Sequence, residues 1–214
     1  MTILDTTTAN TSSEPAPAAD SIGGRQRILR AAAELFLSRG YAETSVRTIA
    51  DAVDMRPASI YHHFESKDAL LTEILEIGME AVMTAFVDAE ESLTSAANGR
   101  DRLRTHIAAH LHALFAHHAF TAAHVTVFPF APPEVRAESV PDRDAYEARW
   151  TMLFESITED LDPEAIRLTR LALFGAMNST VQWFDPAEGS VDDLASAIVG
   201  TLWDGIGRAP GDVR

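Results

Sequence analysis

At 214 residues, 46% of them hydrophobic, the chain is long enough to bury a substantial core, either as one domain or as a small domain joined to a larger one. It contains no cysteine, which excludes disulfides, thiolate metal sites and a cysteine nucleophile, fits a reducing compartment and makes the cytoplasm the expected location. The net charge of −15 argues, taken whole, against nucleic-acid binding, yet residues 25–67 hold seven Lys or Arg against five Asp or Glu while residues 68–214 hold ten against 24.

Residues 1–24 mix Thr, Ser, Ala and Pro with almost no large apolar side chain, so they are expected to form a disordered tail. They carry no Lys or Arg, unlike a signal peptide, and no apolar run in the chain approaches the roughly 20 residues that span a bilayer. From Arg25 onward Ile28, Ala32, Leu35 and Phe36 fall on one helical face, predicting a first helix that ends at Gly40. Thr44 or Ser45 can cap a short second helix with Val46, Ile49, Ala50 and Val53 inside, and Pro57 opens a third with Ile60, Tyr61 and Phe64 on its apolar side. Only Asp54, Met55 and Arg56 separate them, the signature of a helix-turn-helix. Ser66 then caps a long fourth helix to about Leu93, with Asp68 near its positive end.

The remainder also reads as helix: Leu103–His118, Phe120–Phe130, Asp142–Glu159, Pro163–Phe184 and Val191–Gly205, with breaks at Asn98-Gly99, Pro129–Pro133, Asp162-Pro163 and Asp185-Pro186. No alternating strand pattern and no internal repeat occurs, so the expected class is all-α. The expected division is a tail (1–24), a three-helix DNA-binding domain with the helix-turn-helix (25–70) and a helical ligand-binding and dimerisation domain (71–214).

The stretches Arg27–Phe36, Gly40–Ala50 and Ala58–Leu70 resemble, almost end to end, the N-terminal domain of TetR-family transcriptional repressors. The resemblance implies that the third helix enters the major groove, with Arg56, Ala58 and Ser59 at its N-terminal end facing base edges. Arg47 on the outer face of the second helix can reach a phosphate or a guanine edge, while Ser45, Tyr61, His62 and Lys67 are expected at phosphates. Two residues depart from the family pattern: Arg56 stands where a Ser or Thr cap is usual, and Asp54 where glycine is common in the turn.

The resemblance also implies a homodimer in which the last two long helices form a four-helix bundle with their mates. Leu168, Leu171, Phe174, Ala176 and Val181 on one, and Leu194, Ile198, Leu202 and Ile206 on the other, are compatible with that role, and Trp183 and Trp203 are expected as packing anchors. The middle helices are expected to enclose a pocket for a small hydrophobic effector. Farther along, Tyr146, Arg149-Trp150, Gly175, Asn178, Trp183, Pro186 and Gly189 are similar to a TetR subgroup that senses acyl-CoA thioesters in fatty-acid or sterol breakdown. An acyl tail is then expected along Met83, Phe128, Trp150 and Phe154, with Asn178 at a carbonyl and Arg143 and Arg149, about two turns apart, at the anionic CoA. A multidrug-type sensor is the alternative.

Histidines 106, 110, 112, 117, 118 and 124 raise a metal site, and His106 and His110 do share a helix face, but no Cys or Asp supplies an obvious third ligand. No metal, cofactor or catalytic residue is therefore expected. No nucleophile elbow, P-loop or His-Glu-x-x-His is present, and an architectural DNA-binding protein would leave most of the chain without a task.

Overall fold

The computed structural model describes residues 18–158 and 161–206, with side chains from Gly23 to Trp203. Within these residues the fold is all-helical: α1 (Ala18–Arg39), α2 (Val46–Ala52), α3 (Pro57–His63), α4 (Lys67–Ser92), α5 (Gly99–Ala116), α6 (His118–Thr126), α7 (Pro133–Ile157), α8 (Pro163–Ser179) and α9 (Val191–Ile206). Short 3₁₀ turns follow α6 and α8. No described helix is long and apolar enough to cross a membrane.

Local chemistry sets most of the ends. Gly40, at φ 86°, takes the left-handed position after α1, and its N–H donates to the Phe36 carbonyl at 3.0 Å. Ser45, Ser66, Asn98 and Asp162 cap α2, α4, α5 and α8, each accepting from the backbone N–H three residues on. Thr44, the other candidate for the α2 cap, is instead buried and donates to the Gly40 carbonyl at 2.8 Å.

Four expectations about elements are corrected. The first helix starts at Ala18, so residues 18–24 are helix and not tail, while residues 1–17 lie outside the described residues. Helix α7 starts at Pro133 and not at the expected Asp142, and it runs through Pro141 because that proline is exposed and water can take the carbonyl it frees. Helix α6 ends at Thr126, short of the expected Phe130. Helix α8 stops at Ser179, leaving Trp183 beyond it and 63% exposed instead of anchoring a core.

Helix α4 is the central element, packing on α1, α5, α6 and α7. Its first half contributes Leu70, Leu71, Ile74 and Leu75 to a core shared with α1, α2, α3 and, from the far side, Ala123, Val127, Ala131 and Val135. Its second half contributes Met79, Val82 and Phe86 to a separate core with α5, α7, α8 and α9. Gly78 sits between the two halves, where a Cβ would lie 2.6 Å from the Phe120 carbonyl oxygen, so α4 and α6 meet backbone to backbone there.

Candidate DNA interface and effector cavity

Helices α2 and α3 are placed by their inner faces. Ile49 and Ala50 of α2, and Ile60 of α3 with Phe64 just beyond it, are buried against α1 and α4. The joining turn is closed by Met55 N–H donating to the Ala50 carbonyl at 2.9 Å, and Asp54 adopts φ 55°, the conformation that makes glycine common there. Aspartate tolerates that region better than most side chains. Helix α3 begins at Pro57 behind Arg56, whose side chain makes no capping bond. With no side-chain cap, the first-turn Ser59 N–H donates to the Arg56 carbonyl at 2.8 Å.

The outward side chains follow from the helical phase. On α3 Ala58, Tyr61 and His62 are exposed on the face opposite Ile60, and Ser59 is half-buried beside them. On α2 Arg47 projects outward, with the exposed Ser45 at its cap. Arg47 and Arg56 form no ion pair among the described residues. The other cations of this segment are largely committed inward. Arg25 pairs with Glu73 of α4 and lies over the Phe64 ring, and Arg27 donates to the Val53 carbonyl at 2.7 Å. Lys67, expected at a phosphate, donates to the Tyr41 and Thr44 carbonyls at 2.9 and 3.0 Å, and its ammonium sits 4.0 Å from the Tyr41 ring centroid. One of its three N–H groups remains for a phosphate. Tyr41 in turn donates to Asp68, so the pair clamps the α1–α2 turn onto the start of α4.

In the body, α4 to α8 surround a cavity of about 70 Å³. Each helix gives one stripe: Gly78, Met79 and Val82; His110 and Leu114; Thr121, His124 and Val125; Arg143, Tyr146 and Glu147; Phe174 and Asn178. His110 Nδ1 lies 2.7 Å from the Tyr146 hydroxyl, and the Tyr146 and Phe174 rings stack. Burial lowers the pKa of His110 to about 4, only partly offset by Asn178, and its buried Nε2 has no hydrogen-bond partner among the described residues. His124 Nε2 lies 2.6 Å from the Leu75 carbonyl, and burial lowers its pKa to about 4 as well, so both rings are neutral at pH 7.

Of the expected effector residues, the structure brings Arg143 and Asn178 to this cavity. Trp150 and Phe154 are fully buried in the aromatic core behind it, where Trp150 meets Phe86 and Phe174 edge-on. Phe128 stands under the Arg143 guanidinium, 4.2 Å from ring centroid to Cζ, and supports that residue without lining the cavity. Met83 faces a separate surface groove with Glu80 and Asp142. Arg149 is exposed and away from the cavity, because six residues at roughly 100° each put it about 240° around α7 from Arg143; the two cannot serve one anion.

Sequence reasoning missed His110, His124, Thr121 and Tyr146 as cavity residues. Their signal is the polar side chains that interrupt the apolar faces of α5, α6 and α7. His106, on the same helix face as His110, turns Nδ1 to the Arg102 carbonyl at 2.8 Å, with Nε2 3.1 Å from the Glu90 carboxylate. Among the described residues no group of three or more His, Asp or Glu is arranged to hold a metal ion.

The proposed dimer residues also separate. Leu168 and Leu171 are 53% and 44% exposed, but Phe174 lines the cavity, and Leu194, Ile198 and Leu202 pack half-buried on the chain's own core. Trp203 joins them there, as expected of a packing anchor, whereas the side chain of Ile206 lies outside the described residues.

An exposed helix-turn-helix joined through one long helix to a body with an internal cavity defines a DNA-binding regulator. The chain belongs to the TetR family: residues 28–74 match the family described as bacterial regulatory proteins, tetR family, and residues 96–206 match the tetracyclin repressor-like C-terminal domain. It is 28% identical over 204 residues to the HTH-type transcriptional repressor KstR2 of Rhodococcus jostii, covering 90% of this chain and 97% of that one. The TetR-family regulator PfmR of Thermus thermophilus superposes with a TM-score of 0.70 at 26% identity, over 85% of this chain and all of that one. The ketosteroid transcriptional regulator KstR2 of Mycobacterium tuberculosis shares the fold, with a TM-score of 0.72 at 23% identity over 86% of this chain and 94% of that one. The protein is a TetR-type, KstR2-like transcriptional repressor, a transcription factor and not an enzyme.

Proposed function

We propose that the protein binds a palindromic operator as a homodimer and releases it when a small, largely apolar acyl compound, such as an acyl-CoA, occupies the cavity between α4 and α8. Residues 25–70 read DNA through Ser45, Arg47, Arg56, Ala58, Ser59, Tyr61, His62 and Lys67, and residues 71–214 sense the effector and dimerise. The observation that carries this reading is the cavity's position: Gly78, Met79 and Val82 of α4 form one wall, and the same helix holds α1 and α3 through its first half. At about 70 Å³ the cavity is far smaller than the roughly 300–1,000 Å³ of ligand pockets, so an acyl occupant must push the walls apart. Movement of α4 then alters the placement of the recognition helix, and release is as strong as the effector's preference for the displaced state.

Dimerisation is supported by the exposed face of α8, where Leu168, Leu171, Ala172 and Gly175 recur at helical spacing and nothing lies within 4 Å of a Cβ built on Gly175. Sedimentation should show a dimer at micromolar concentration and a monomer for the double substitution Leu168→Glu, Leu171→Glu. The function is tested by selecting an operator from random duplexes and titrating the complex with acyl-CoAs of varied length, the matching free acids and an uncharged hydrophobic drug. Acyl compounds should lower operator affinity about 100-fold, a coupling of about 3 kcal/mol. Dissociation by the drug alone would replace this reading with a multidrug-type sensor.

A further inference from the structure

The cavity's polar groups restrict what can fill it, an argument that rests on the effector site just described. The Leu75 carbonyl can only accept a hydrogen bond, so the His124 Nε2 facing it at 2.6 Å carries the ring's hydrogen. Nδ1 of the neutral ring is then an acceptor, buried and without a partner among the described residues. An unmet buried acceptor is costly, so an occupant that brings a donor to it is favoured over an apolar filling. The two hydroxyls of the wall are already engaged, Thr121 donating to the Leu114 carbonyl at 2.8 Å and Tyr146 meeting His110. An occupant of the cavity can supply the donor that these hydroxyls do not.

A charge is available beside it. The Arg143 guanidinium, half-buried on the Phe128 ring, has no ion-pair partner among the described residues, since Glu147 one turn on is taken by Arg170 at 3.0 Å. A fixed guanidinium at the wall of a partly closed cavity favours an anion with two acceptor oxygens and disfavours a cation. Met79, Val82, Leu114 and Phe174 complete the wall with apolar surface.

We propose that the effector is a hydroxylated anion: its hydroxyl donates to His124 Nδ1, and its anionic group, a carboxylate or the phosphate of a thioester carrier, meets Arg143 across an apolar carbon frame. A plain saturated acid leaves Nδ1 unmet. An uncharged or cationic compound leaves Arg143 unpaired or repelled.

The test is calorimetric titration of the full-length protein with decanoate, with hydroxydecanoates bearing the hydroxyl at successive carbons, with their methyl esters, and with the CoA thioesters of decanoate and of the tightest hydroxy acid. At least one hydroxydecanoate should bind about tenfold more tightly than decanoate. His124→Phe should abolish that advantage. Arg143→Gln should abolish the preference for acid over ester, and the thioester arm identifies which source of anion is used. In the wild-type protein the ¹⁵N resonance of His124 Nδ1 should move when the hydroxy acid is added and stay in place with decanoate, a readout that needs no variant to fold. Equal binding of decanoate and every hydroxydecanoate, an advantage that survives His124→Phe, or an unmoved Nδ1 resonance overturns the proposal. If decanoate and its thioester release the operator as well as the hydroxylated compounds do, the effector reading stands and the hydroxyl requirement fails. If no acid or thioester binds, both fall together.

Discussion

The two cores that meet along α4 are built from different materials. The one under the helix-turn-helix is built from apolar side chains, from Ile28 and Phe36 to Leu75, and the buried Thr44 hydroxyl beside them is satisfied by backbone carbonyls. The core of the body buries His106, His110, Thr121 and Thr180 among its aromatic side chains, and leaves ring nitrogens of His110 and Trp150 without partners. Buried polar groups cost stability unless they are satisfied, so the first arrangement suits a rigid platform and the second a site that something else completes. Helix α4 belongs to both, which is why a change in the soft core can reach the stiff one.

Acid should separate the two most strongly. His110 and His124 have folded pKa values lowered to about 4 from the ordinary 6.5, so between these values the unfolded chain binds more protons than the folded one. Stability is complete above about pH 6.5 and falls as the pH drops toward 4, by a few kcal/mol for the pair. Denaturant titrations at pH 7 and pH 5 should show the loss, and His110→Gln should remove about half of it, leaving the share of His124. A pH-independent midpoint across that window would mean the body is no softer than the platform.

Gly78 is the seam, and filling it should have the next largest effect. A Cβ at 2.6 Å from the Phe120 oxygen and 3.2 Å from the Thr121 Cα cannot be relieved by a flexible side chain, since both are backbone atoms. Gly78→Ala should therefore cost about 1–3 kcal/mol by overpacking, despite alanine's better helix propensity. It should also weaken the response of operator binding to effector, because α6 would hold α4 apart. A variant as stable as the wild type and equally responsive would show that the two halves of α4 are not coupled there.

The platform was far more legible in the sequence than the cavity, for a physical reason. Ile49, Ala50, Ile60 and Phe64 are placed by local periodicity and Ser45 and Ser66 by capping chemistry, so inner and outer faces of α2 and α3 follow from spacing alone. The cavity gathers single stripes from five helices, and a stripe that ends in a cavity has the same period as one that ends in solid core. Trp150 and Phe154 therefore read as pocket although they are packing, and His110 and His124 could not be recognised without the carbonyl and hydroxyl that fix their rings. Arg149 was misplaced by counting turns when the phase should have been counted. The inward commitment of Arg25, Arg27 and Lys67 is likewise a long-range fact, since each partner lies 23 to 48 residues away.

The smallest expected effect tests whether the platform itself has traded stability for recognition. Arg56 occupies the N-cap of α3 with extended backbone, as a capping residue should, yet its side chain makes no cap bond and is exposed at the end of the recognition helix. A serine there could offer its hydroxyl to the Ser59 N–H, which now donates to the Arg56 carbonyl at 2.8 Å, as Ser45 and Ser66 do for their helices. Arg56→Ser should therefore raise the unfolding free energy by about 1 kcal/mol, read as a higher denaturant midpoint at unchanged slope. The same substitution removes a guanidinium from the exposed N-terminal end of α3, and operator affinity should fall by about 1–3 kcal/mol per half-site if Arg56 reads a guanine edge. If it touches only phosphate, the loss should instead be uniform across sequences and should lower the logarithmic salt slope by about 0.9 for each contact removed. A variant that is more stable and binds its operator unchanged at every salt concentration would remove Arg56 from the interface and leave Arg47 as the cation on which recognition by α2 and α3 depends.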